Sequence, residues 1–63
     1  MNVCEQLFHE VSNADSIKAL AEVSDKANII FMTDDNLEDR LVMTDDFWVE
    51  FTKAIRKRFM QLQ

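Results

Sequence analysis

Val3, Cys4, Leu7, Phe8 and Val11 recur at the three- and four-residue spacing of one helix face, with Glu5, Gln6, His9 and Glu10 between them. This predicts an amphipathic helix over about residues 2–12. Ser12-Asn13-Ala14-Asp15 then reads as a break and a new start, with Ser12 or Asn13 as N-cap and Asp15 in the first turn. The second helix turns Ile17, Leu20, Ala21, Ser24 and Ala27 inward, and the same seam continues to Phe31. The sharpest pattern lies at the end. Over about residues 45–62, Phe47, Trp48, Phe51, Ala54, Ile55, Phe59 and Leu62 share one helical face, opposite Lys53, Arg56 and Lys57. Arg58 breaks that pattern from inside the apolar stripe, and Val49 and Met60 break it from the polar side.

Residues 28–44 admit two readings. Thr-Asp-Asp occurs at 33–35 and again at 44–46. If each threonine is an N-cap and the aspartates complement a helix start, a short third helix spans about 34–43, with Leu37, Leu41 and Val42 inward. Alternatively, residues 29–33 and 40–44 are strands of a hairpin, which would make the fold α+β. A glycine-free loop and the instability of a lone two-stranded ribbon favour the helical reading. The expected fold class is therefore all-α, a compact three- to four-helix domain over residues 1–63.

Composition sharpens this in three ways. Glycine and proline are both absent, so helices lack their usual breakers, and Asn13, Asn28 and Asn36 become the expected turn positions. A chain of 63 residues forms one domain at most and buries only about 60% of its unfolded surface. Yet 48% of it is hydrophobic, including five phenylalanines and Trp48, which points to self-association or docking on a larger protein. The longest apolar run, Ile29-Ile30-Phe31-Met32, is far short of the ~20 residues of a membrane span, and the first residues lack signal-peptide character. The expectation is a cytoplasmic protein without membrane contact.

Charge is divided along the chain. Residues 1–52 carry all twelve acids and only three bases, whereas residues 53–63 carry four bases and no acid; the net charge is −5. The basic pole, Lys53, Arg56 and Lys57 with Arg58 beside them, suits phosphate contacts, but it equally suits the negative end of a helix. The overall negative field opposes nucleic acid. The acidic pole, Asp34, Asp35, Glu38, Asp39, Asp45 and Asp46, suits a basic protein patch or imitation of DNA phosphates, and as plainly suits helix starts. Trp48, Val49, Arg58 and Met60 are the candidate docking residues, because tryptophan and methionine are enriched at interfaces and Arg58 has no reason in the pattern to sit where it does. Arg58 is expected to extend its stem to solvent, stack on Trp48 or Phe51, meet an acid of the 34–46 cluster, or lie at an interface.

Catalysis and cofactors find no foothold. Cys4 and His9 stand five residues apart, about 140° round a helix, which is wrong for a nucleophile and its base. The glycine-containing Ca²⁺ loop pattern is missing, and Cys4 and His9 are the only soft metal ligands. Cys4 reads as a small buried apolar residue and His9 as solvent-facing.

The opening segment 1–10, the stretch Ala19-Leu20-Ala21-Glu22-Val23-Ser24-Asp25 and the overall length resemble the short early-region accessory proteins of lambda-like temperate phages, of the kind encoded between the recombination exonuclease and excisionase genes. That resemblance spans the chain. It implies a small helical protein made early in infection, dispensable for replication, which binds host or phage factors to bias development. It brings no catalytic or binding residues with it. The resulting expectation is a non-enzymatic regulatory factor that works through a protein partner, with a homo-oligomer also open. The alternatives are a DNA-binding regulator using the last helix and an acidic DNA mimic.

Overall fold

Side-chain oxygens set where the long helices begin. The computed structural model describes residues 2–33 and 37–63, which form four helices and no strand: α1 Val3–Asn13, α2 Ile17–Met32, α3 Leu37–Val42 and α4 Asp45–Leu62. The Glu5 N–H donates to Asn2 Oδ1 at 2.9 Å, the Ala19 N–H to Ser16 Oγ at 3.0 Å, and the Phe47 N–H to Thr44 Oγ1 at 3.3 Å. Each satisfies one of the amide donors left over at a helix start, a contribution of about 1 kcal/mol. The Thr44 cap is the one the sequence anticipates.

Two other expectations are corrected here. Asn13 ends α1 instead of starting α2; its amide donates to the His9 carbonyl at 2.9 Å and meets His9 Nε2 at 3.1 Å. Ser16 caps α2, which leaves Asp15 ahead of the helix rather than in its first turn. Thr33 likewise closes a helix: its hydroxyl donates to the Ile29 carbonyl at 2.7 Å, and its N–H to Ile30.

Without glycine, α1 and α2 stop by swinging into extended backbone at Ala14 (φ −63°, ψ 124°) and Thr33 (φ −91°, ψ 124°). No described residue adopts positive φ. Asn28 lies within α2, its amide on the Ser24 carbonyl, so it makes no turn. Asn36 lies outside the described residues, as do Asp34 and Asp35. The hairpin alternative for 29–44 is excluded by helix through Met32 and from Leu37 to Val42.

The three long helices run up, down and up, with α3 crossing beneath them. Phe8 packs edge-on against Phe47 and Phe51 at 5.6 and 5.9 Å, and Cys4 reaches Val42, so α1 and α4 rise side by side. Lys26 pairs with Glu10 at 2.8 Å, and Phe31 meets Trp48 at 5.4 Å, so α2 descends against both. The core is Leu7 and Val11 from α1, Ala14, then Leu20, Val23 and Ala27 from α2, with Met43, Phe47 and Phe51. Each large side chain buried there is worth about 1.5–3 kcal/mol. The α1 and α4 faces are those read from the sequence, except that Phe59, at the edge of the α4 stripe, is 37% exposed. The α2 face is rotated: Val23 is buried, whereas Ile17 and Ala21 are exposed.

Candidate interaction surfaces

The helix that should close the core does not touch it with any buried side chain. In α3, Leu37 and Leu41 are 62% and 69% exposed and Val42 is exposed beside them, so the inward orientation expected for all three is overturned. Six residues span only about 9 Å, less than two turns. Docked against the lower ends of α1 and α2, α3 is held by what lies near its backbone and polar side chains. The Cys4 thiol donates to the Val42 carbonyl at 3.3 Å, and the Arg40 guanidinium lies 5.5 Å from the centre of the Phe31 ring. Burial, reinforced by the Asp39 and Glu5 charges, pushes the Cys4 thiol above its ordinary range and keeps it protonated.

At the same end α2 exposes Ile29 and Met32. Glu38 and Asp39 stand in the first turn of α3, and Asp45 and Asp46 in that of α4. One end of the 35 × 19 × 19 Å molecule thus combines exposed aliphatic side chains with an acidic border. Among the described residues, nine large hydrophobic side chains are exposed against nine hydrophobic residues buried. The chain exposes 4573 Å² of surface, whereas a folded monomer of 7.4 kDa is expected to expose about 4,200 Å².

The second surface is the outer side of α4. Val49 and Met60 are exposed there, as their places outside the stripe indicate, with Lys53, Arg56 and Lys57 around them. Trp48 is half-buried, wedged among Phe31, Phe47 and Phe51, with its edge on the groove between α2 and α4. Lys53 reaches Glu50 at 3.5 Å, and both side chains are largely in solvent, so the pair adds little. The last turn of α4 holds no base, so the Lys53, Arg56 and Lys57 cluster lies beyond the short reach of the helix dipole that the sequence reading invoked for it.

Arg58 belongs to neither surface. Its Nε donates to the Ala14 carbonyl at 2.9 Å and its Nη1 to Gln61 Oε1 at 3.1 Å. It sits in the apolar stripe because that stripe faces the α1–α2 connection, where a helix end leaves a carbonyl without an intrahelical donor. In place of stacking or an acidic partner, Arg58 makes this staple between α4 and Ala14. The sequence carried no signal for a carbonyl 44 positions away.

Among the described residues, no group of three or more His, Cys, Asp or Glu side chains is placed to hold a metal ion, and no helix is long and apolar enough to cross a membrane. No family model, curated protein or solved structure matches the chain.

Proposed function

We propose that this chain is a non-enzymatic protein-interaction factor that docks a partner protein on its α3 end. The observation that supports this is α3 itself, an element that buries none of its residues and displays Leu37, Leu41 and Val42. Exposed aliphatic residues inside an acidic border suit a partner with an apolar patch rimmed by lysine or arginine, which the border would steer into register. The resemblance to early accessory proteins of lambda-like phages supports a regulatory role in the host cytoplasm, with a host or phage factor as that partner. Nucleic acid is disfavoured by the net charge of −5.

The test is crosslinking capture from host lysate with the wild-type chain and with Leu37→Gln/Leu41→Gln, which preserves helix propensity while removing the apolar side chains. The reading expects one or more proteins captured by wild type and lost from the folded double variant. Capture that is indifferent to those substitutions would sink it.

A further inference from the structure

We infer that the outer seam of α4 is a self-complementary contact that pairs two copies of this chain antiparallel. Asp45, Val49, Thr52 and Arg56 are all exposed, and they follow one another at four-three-four spacing, the spacing of a seam between two packed helices. Read upward the seam is acid, apolar, threonine, base. Read downward it is base, threonine, apolar, acid, so a second copy in the opposite direction is its complement. With the twofold axis passing between Val49 and Thr52, Asp45 of each copy meets Arg56 of the other and Val49 meets Thr52.

The flanking charges follow the same rule. In an antiparallel pair, residues on one side of the seam meet the same side of the partner. Asp46 lies on the same side of the seam as Lys53 and Lys57, about two and three turns away, and so meets those bases of the other copy. A parallel arrangement would instead place acid against acid and base against base. Arg56 and Lys57 have no ion-pair partner among the described residues, and the helix dipole does not explain them. A contact whose own reversal satisfies it is isologous and closes at two copies.

This contact shares Asp45 and Asp46 with the acidic border of the α3 end but not Leu37 or Leu41, so Leu37→Gln/Leu41→Gln, which leaves both aspartates in place, tests the α3 reading separately. The experiment is sedimentation equilibrium across micromolar to millimolar concentration. The wild-type chain is expected to move from 7.4 kDa to twice that mass as concentration rises. Asp45→Arg/Asp46→Lys and Arg56→Asp/Lys57→Glu are each expected to weaken pairing by at least tenfold. An equimolar mixture of the two restores it, because every swapped acid then faces a swapped base. That rescue also shows both variants to be folded. If one variant loses its helical circular dichroism, Val49→Glu replaces it, with pairing weakened at unchanged helicity as the expected result. A wild type that stays monomeric, or variants that pair as well as wild type, would overturn the inference. Neither result bears on capture through α3.

Discussion

The tripeptide Thr-Asp-Asp appears twice, and the two copies meet opposite fates. Thr44 accepts the Phe47 N–H and opens an 18-residue helix; Thr33 donates to the Ile29 carbonyl and closes one. The two stretches differ in sequence three residues downstream. Phe47 follows Thr44 at the position that fills the core, so the cap and the burial are in phase. Asn36 occupies the equivalent place after Thr33 and has no apolar side chain to bury. A capping side chain offers a helix start, and Phe47 adds apolar burial in the first turn of α4. The elements that follow inherit the same contrast: α4 anchors the core with Phe47 and Phe51, while α3 buries nothing.

The contrast breaks most forcefully at Phe51. Phe51→Ala is expected to cost about 3–5 kcal/mol, comparable to the whole stability of a domain this size, at roughly 0.05–0.15 kcal/mol per residue. Its urea transition by circular dichroism should shift to very low denaturant or vanish, whereas Leu41→Ala stays within about 0.5 kcal/mol of wild type. Next comes the staple. Arg58→Met keeps the stem and removes the bond to the Ala14 carbonyl, for a loss of about 1–2 kcal/mol in the same assay. The capping pair sharpens the comparison directly: Thr44→Ala should cost about 1 kcal/mol and Thr33→Ala less than half of that.

A further small effect is the Glu10–Lys26 pair, which joins α1 to α2. The Lys26 ammonium, with help from the Gln6 amide, holds the Glu10 carboxyl below its ordinary range. A carboxyl depressed on folding binds fewer protons in the native state, so the pair stabilises above the unfolded carboxyl value of about 4.3. That contribution disappears as pH falls through the lower folded value. Glu10→Gln should flatten this part of the stability–pH curve, by less than about 1 kcal/mol because the Lys26 side chain is half exposed.

Legibility in the sequence followed how narrow each apolar stripe is. In α1 and α4, polar residues leave one face available, and the Leu7, Val11, Phe47 and Phe51 core could be read directly. In α2, Ile17, Leu20, Ala21, Val23, Ala27 and the run from Ile29 to Met32 cover more than half the circumference. Only the neighbours could choose among those faces, and they chose Leu20, Val23 and Ala27. The Asn2 cap was missed, since the first helix was read from residue 2; its signal was Glu5 three residues on, a recurrent helix-start signature. Of the candidate docking residues, Val49 and Met60 stand on the surface and Trp48 at its edge, while Arg58 is engaged inside the fold. The α3 leucines were assigned to the core because periodicity marks an apolar face without saying which way it turns.

The proposed contact of α3 with a partner requires Leu37 and Leu41 to lie outside the core. The most direct measurement is the urea-unfolding free energy of Leu37→Gln/Leu41→Gln beside wild type. An α3 that faces outward predicts a difference within about 0.5 kcal/mol. A loss of about 2 kcal/mol or more, the cost of removing buried leucine, would place those side chains in the core and contradict it.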